Sequence, residues 1–217
     1  MDPIALTVFK FGALIFSVIV HEVSHGFMAL RLGDGTAKDA GRLTLNPVRH
    51  IDPIGTVLLP LILYATNSPI LFGWAKPVPF NPHALYKDFR YGPLKVALAG
   101  PLSNLALAAV FAGIIRLSAP LIGPVAAGMM GFIVLINCIL AVFNSLPIPP
   151  LDGSKIVSAF LPARQAMAFE RFGMLGMFFV VIGLYLFSGV INFLSAFLFS
   201  TLVGQQGVMY FMEVFSR

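Results

Sequence analysis

Five residues of the first apolar stretch, His21-Glu22-Val23-Ser24-His25, have the types and spacing that metal chemistry needs. Side chains four apart share one helical face, so both imidazoles can aim a nitrogen at one point. Two neutral imidazoles at that spacing suit Zn2+, and Glu22 beside them can act as a base toward water. A lone histidine on a helix is more often a hydrogen-bonded core residue. That bland reading fits poorly here, because an acidic side chain at mid-span costs about 2.5–3.5 kcal/mol and needs a partner.

A catalytic zinc takes three protein ligands and keeps a fourth position open. The remaining carboxylates are Asp2, Asp34, Asp39, Asp52, Asp88, Asp152, Glu170 and Glu213. Asp152 stands out, because it closes the run Asn144-Ser145-Leu146-Pro147-Ile148-Pro149-Pro150-Leu151 at the same membrane side as His25. The prolines withhold backbone donors and create an irregular, polar wall. Asp152 is equally well placed to N-cap a helix starting at Gly153, and the two roles are compatible.

The elements that position these residues follow from composition. Of 217 residues, 58% are hydrophobic and 11% charged, with a mean hydropathy of +0.91. A soluble domain carries about 25% charged residues, so a soluble globule and a disordered chain are both excluded. An all-α, polytopic integral membrane protein remains, with the lipid bilayer as its surroundings. The net charge of +5 marks cytoplasmic loops rather than a nucleic-acid binder, since no basic run with interleaved aromatics occurs. The single Cys138 excludes an internal disulfide and a cysteine zinc cluster.

Apolar runs predict about five full transmembrane helices: residues 4–30, 92–118, 123–143, 167–187 and 189–208, the last two split at Ser188-Gly189. The first lacks a basic flank and a small-residue cleavage site, and is expected to be a retained span. Residues 51–82, interrupted by Pro60, are too short for a span and predict a re-entrant or interfacial segment. Alternation in Arg42-Leu43-Thr44-Leu45-Asn46 predicts a strand of a short β-hairpin. His50 and His83 fall in loops and are expected to be solvated or interfacial. Gly113, Gly123, Gly128 and Gly131 are expected to permit close helix approach. With the first span running outside to inside, Lys10 and Arg116 lie outside and the other basic residues inside, as the positive-inside rule requires. The site then lies near the cytoplasmic face.

These motifs, with Gly100-Pro101-Leu102-Ser103-Asn104 in the second span, resemble the site-2 protease family of intramembrane zinc metalloproteases. The runs Leu32-Gly33-Asp34-Gly35-Thr36-Ala37-Lys38 and Gly73-Trp74-Ala75-Lys76-Pro77-Val78-Pro79 resemble its compact bacterial and archaeal branch, without PDZ or cystathionine-β-synthase-type domains. The resemblance spans nearly the whole chain and implies one membrane metalloprotease domain over residues 1–217. Its catalytic core would be residues 4–32, 92–118 and 123–152, followed by C-terminal helices at 167–212. It implies one Zn2+ per chain on His21, His25 and Asp152, with Glu22 as general base. It also implies Asn144 near the substrate or the developing oxyanion. Asn104 sits at a family position, although an inter-helix hydrogen bond explains it equally well. The implied activity is hydrolysis of peptide bonds in or near transmembrane segments of membrane proteins in a prokaryotic cell membrane. The substrate helix would unwind and add to an exposed strand edge, either at residues 41–46 or in the segment after it.

The sequence also admits two alternatives. One is a membrane metalloprotease of different architecture, with a downstream glutamate as third ligand; neither Glu170 nor Glu213 lies in an E-x-x-x-D pattern. The other is a zinc-binding bundle or transporter without proteolysis.

Overall fold

The computed structural model describes residues 2–58, 61–62, 65–66, 75–171 and 173–216. Among the described residues every regular element is a helix. Helix α1 (Pro3–Leu32) starts with Asp2, whose carboxylate accepts the Ile4 N–H, and ends at Gly33, which takes the left-handed conformation (φ 113°). Then come α2 (Thr36–Asp39), 3-10 turns at Pro47–His50 and Pro82–Ala84, and a π turn at Pro53–Leu58. The long α3 (Gly92–Asn144) leads to α4 (Gly153–Phe160), α5 (Ala163–Arg171) and α6 (Gly173–Phe215).

Among the described residues, three helices are long and apolar enough to cross a membrane: α1, α3 and, within α6, Leu186–Phe215. Their exposed faces carry Ile4, Val8, Phe11, Leu117, Leu121, Leu186, Phe193 and Phe197. Apolar surface on that scale belongs against lipid. The expected count of five separate spanning helices is not supported among the described residues.

Helix α3 has 53 residues, and a straight helix that long would measure about 80 Å. It folds back instead. Gly123 sits at φ 78°, ψ 163°, between Pro120 and Pro124. Pro124 has no N–H to continue the ladder and pushes its predecessor out of the helical region, and glycine accepts the positive φ. Residues 92–122 and 124–144 therefore run side by side, and Asn104 reaches Asn137 with a 2.7 Å hydrogen bond. Expected boundaries near 118 and 123 thus mark two arms of one folded helix.

The expected break at Ser188-Gly189 is absent: α6 runs through it and turns at Gly204 (φ 72°, ψ 176°). A mid-helix glycine costs only about 1 kcal/mol, whereas breaking the ladder in lipid strands several backbone groups. Beyond Gly204 the chain returns, so that Phe211 packs on Phe199 with ring centroids 5.2 Å apart. Arg116 caps the turn by donating to the carbonyls of Thr201 and Leu202, each at 2.6 Å. The core between the α3 arms and α6 holds Ala108, Ala112, Ile115, Ala127, Val134, Cys138, Phe199 and Val203.

Of the four interior glycines, Gly128 and Gly131 do admit close approach. A Cβ at Gly128 would strike Val214 at 2.5 Å, and one at Gly131 would touch Phe211 at 3.4 Å. A Cβ at Gly113 or Gly123 would meet nothing within 4 Å.

The expected β-hairpin is not formed. Residues 41–46 are turn, bend and irregular chain. Arg42 is buried and donates to Lys76 O (2.6 Å), while Thr44 O accepts from the His50 ring (2.9 Å). Asn46 N–H bonds Thr44 Oγ1, and Asn46 Oδ1 caps the following 3-10 turn through Val48 N–H. Side chains thus take the backbone groups a ladder would use. His50 is buried rather than solvated, at 3% exposure; His83 is exposed. Much of the expected re-entrant segment, including Pro60, Gly73 and Trp74, lies outside the described residues.

Candidate metal centre

His21 and His25 lie on one face of α1, with His25 about 10 Å from its C-terminal end at a rise of 1.5 Å per residue. The first α3 arm begins at that same end of the bundle, and the second arm finishes there. Asp152 follows the second arm, and Gly100 in the first arm faces the histidines. A Cβ on Gly100 would collide with His25 Nε2, His25 Cε1 and His21 Cε1, so glycine leaves the space the imidazoles occupy. Gly153 is constrained likewise, since its Cβ would overlap the carbonyl oxygens of Ser145 and Leu146. That close approach folds the proline-rich turn back and brings Asp152 to the histidines.

Three acceptor atoms converge. His21 Nε2 and His25 Nε2 are 3.0 Å apart, and Asp152 Oδ2 lies 3.0 Å from the first and 3.3 Å from the second. His21 Nδ1–H donates to Asn104 Oδ1 and His25 Nδ1–H to Val96 O, both at 2.7 Å. Oxygen acceptors at both Nδ1 atoms place each ring's proton there, so both Nε2 atoms present lone pairs. Asp152 Oδ2 is buried and receives no hydrogen bond. With both imidazoles neutral, three lone pairs face one another, and that is a cation's donor set. Tetrahedral zinc with bonds of about 2.0–2.1 Å spaces its ligand atoms about 3.3 Å apart, close to what is observed. Among the described residues this is the cluster of histidine and carboxylate groups able to hold a metal.

Asp152 occupies the N-cap position of α4, yet its side chain makes no capping bond. Of the two roles open for it, the structure shows the approach to the histidines. Glu170 instead pairs with Lys155 at 3.0 Å, and Glu213 is exposed near the end of α6.

Glu22 Oε2 accepts the Val78 N–H at 2.8 Å. Val78 belongs to residues 75–80, a strap without regular structure that crosses α1 beside the histidines. Lys76 N–H donates to His50 O, Lys76 O accepts from Arg42, and Asn81 N–H donates to Asp34 Oδ2. Gly26 has no side chain where Leu43, Val78 and Ala37 pack over α1, each within 3.1 Å of a Cβ built there. Asp34 is buried, which pushes its carboxyl pKa up. Hydrogen bonds from the Thr36 hydroxyl and N–H and the Asn81 N–H outweigh this and hold it below the usual carboxylate value.

Asn104 is brought to His21 and forms the inter-helix bond that was one of its two readings. Asn144 is not joined to His21, His25 or Asp152: its Nδ2 donates to Leu140 O at 2.9 Å. Asn137 and Ser17 escaped the sequence reading. Asn137 is fully buried, donates to Ser17 Oγ (2.8 Å) and accepts from Asn104. The cue was available, because an asparagine inside an apolar span is costly for the same reason as Glu22. Such bonds average only about 0.6 kcal/mol in membrane bundles, so stability alone explains little of the network.

A model described as Peptidase family M50 matches residues 121–188. The chain is 36% identical over 203 residues to "Putative zinc metalloprotease YwhC" of Bacillus subtilis, covering 88% of this chain and 89% of that one. It is 34% identical over 198 residues to "Putative zinc metalloprotease Rip2" of Mycobacterium tuberculosis, covering 84% and 74%. A shorter match, 49% over 75 residues, joins it to "Putative zinc metalloprotease MJ0611" of Methanocaldococcus jannaschii, covering 34% and 38%. No solved structure matches.

Proposed function

Because the chain belongs to peptidase family M50, the site-2 proteases, we propose that it is a zinc-dependent membrane endopeptidase that cleaves other membrane proteins in or near their transmembrane segments. The observation that carries this reading is the convergence of His21 Nε2, His25 Nε2 and Asp152 Oδ2, with Glu22 adjacent in sequence to His21. Zinc bound by these three would supply a Lewis acid that acidifies water and polarises a peptide carbonyl.

The chain's own groups divide the remaining work. Glu22 takes the proton of the attacking water and delivers it to the departing amine. Val78 N–H engages Oε2, which turns the carboxylate so that proton transfer falls to Oε1. Asn104 and the Val96 carbonyl hold the two imidazoles in the tautomer that leaves Nε2 free. Asn144, at the last turn of α3, contacts the substrate once its amide leaves Leu140 O. The substrate's scissile segment must be extended, because a helix hides its peptide carbonyls in its own ladder.

The site lies near the cytoplasmic face. Supporting this, Arg31, Lys38, Arg42, Lys76, Lys87, Arg90, Lys95 and Lys155 fall in or beside the connections at the metal end of the bundle. Lys10 and Arg116 lie toward the other end, against Phe215 and the turn at Gly204. This arrangement suits a prokaryotic cell membrane.

Glu22→Gln tests the proposal. Purified with one zinc per chain and given a tagged single-span substrate, it should lose about 10²–10⁴-fold in cleavage rate while keeping its zinc. Unimpaired cleavage would remove Glu22 from the chemistry. A wild type that holds zinc but cleaves nothing across a panel of single-span proteins would favour a non-proteolytic zinc bundle.

A further inference from the structure

Asn137 touches neither the three ligand atoms nor Glu22, yet hydrogen-bond bookkeeping ties it to His21. Ile133 O, a backbone carbonyl on the second α3 arm, can only accept. Asn137 Nδ2 donates to it at 2.8 Å, so the Asn137 amide has one allowed orientation. Its other Nδ2 proton goes to Ser17 Oγ at 2.8 Å, and that hydroxyl spends its own proton on Ala13 O at 2.8 Å. Asn137 Oδ1 therefore faces Asn104 and must receive a donor, which is Asn104 Nδ2 at 2.7 Å. The second Asn104 Nδ2 proton points to Ser17 O, a longer contact at 3.3 Å. Asn104 Oδ1 is then the atom left for His21, and it can only accept from Nδ1–H. Ser17, Asn104 and Asn137 are fully buried, so no water competes for these directions.

We propose that Asn137 is a positioning residue for the metal: with Ser17 it forces the Asn104 amide to present its oxygen to His21, which fixes the His21 tautomer with Nε2 bare. The relay joins α1 to both arms of the folded α3, and ties ligand readiness to how those three segments pack. It rests on the zinc reading above and adds two residues to it. With Asn137 gone, the longer Ser17 O contact alone opposes a turned amide, which would set NH2 against His21 and push the ring proton to Nε2. That tautomer cannot bind a metal there. Outer partners of metal-bound histidines are commonly worth 10–100-fold in affinity.

The experiment measures zinc affinity on the full-length protein in detergent by chelator competition, together with the visible spectrum of the Co2+-loaded form. Asn137→Leu should bind zinc 10–100-fold more weakly than wild type. Asn104→Asp supplies the second background. A carboxylate at 104 accepts from His21 Nδ1–H in either orientation, so adding Asn137→Leu to it should cost less than about threefold. An equal cost in both backgrounds would overturn the relay and leave Asn137 as mere packing, and so would an unchanged affinity in the single variant. If Asn137→Leu does not fold, Asn137→Ser takes its place; its hydroxyl can bond Ile133 O but cannot reach across to Asn104, and the same two comparisons decide. Failure of wild type to bind zinc at all would instead sink the metal reading on which the relay depends.

Discussion

Glu22 Oε2 and the backbone N–H of Val78 lie 2.8 Å apart, although 56 residues separate them. The residue adjacent to His21 is thus held from the far side by the strap of residues 75–80. Pro77 and Pro79 flank Val78 and have no N–H, so Val78 supplies the donor at this stretch of the strap. The anchors on either side are Lys76, bonded through both its N–H and its carbonyl, and Asn81, bonded to Asp34.

Val78→Pro removes that donor and keeps an apolar side chain where Val78 packs over Gly26. The carboxylate then loses its orientation but not its charge. A misplacement of about 1 Å can cost on the order of 10²-fold in rate. Cleavage is expected to fall 10–100-fold with zinc content unchanged, measured on one purified preparation by a peptide or single-span substrate assay and metal analysis. A variant that loses zinc in parallel would show that the strap supports the ligands rather than Glu22.

Gly100→Ala should act on the metal itself. The added methyl would overlap both imidazoles, and overpacking of this kind costs about 1–3 kcal/mol. The rings must shift, so the expected result is zinc binding at least tenfold weaker. Gly113→Ala on the same helix serves as the comparison, since its Cβ meets nothing within 4 Å. It should bind zinc normally and gain about 0.5–1 kcal/mol in thermal stability. Similar behaviour of the two variants would mean that helix propensity, not room for the ligands, governs Gly100.

Removing the ion should loosen the whole bundle, because the facing lone pairs of His21, His25 and Asp152 then repel. Zinc at 100 times its dissociation constant is expected to restore about 2.7 kcal/mol. Thermal unfolding with a chelator and then with excess zinc reads this. Asp152→Ala should abolish most of the difference. A melting temperature indifferent to zinc in the wild type would argue against a folded-state metal site.

Legibility in the sequence divides along physical lines. His21, Glu22 and His25 were readable because a helix turns local spacing into a shared face, and because a carboxylate inside an apolar run demands a reason. Asp152 was open to two roles; its approach to the histidines depends on Gly153 letting the backbone close against Ser145 and Leu146, a tertiary contact. Asn137 gave the same cue as Glu22 but no local partner, since its neighbours in the relay are 33 and 120 residues away. The turn at Gly123 was close to legible from its flanking prolines. Ser188-Gly189 misled because a glycine without a proline does not outweigh an intact ladder in lipid. The alternation of residues 42–46 misled because five residues satisfy a period of two too easily, and Arg42 and Thr44 spend their polar groups on Lys76 and His50.

Acid should undo the loop beneath the site through Asp34. Its carboxylate accepts the Asn81 N–H at 2.6 Å and the Thr36 N–H at 3.0 Å, besides the Thr36 hydroxyl, and so pins the end of the strap to the residue after Gly33. Burial raises its pKa and these bonds more than reverse that, leaving it below the ordinary carboxylate value. A folded-state value below the unfolded one means stability that is present above the unfolded value of about 3.9 and is lost as pH falls through the folded value. Asp34→Asn keeps the shape but cannot offer acceptors to all three donors, and should cost about 1–3 kcal/mol at pH 7. The gap between wild type and variant should stay constant down to about pH 5 and then narrow as the wild-type carboxyl protonates. Thermal midpoints of both proteins from pH 7 to pH 3 measure it, and a gap that stays constant to pH 3 would show that the charge of Asp34 contributes nothing to holding the strap.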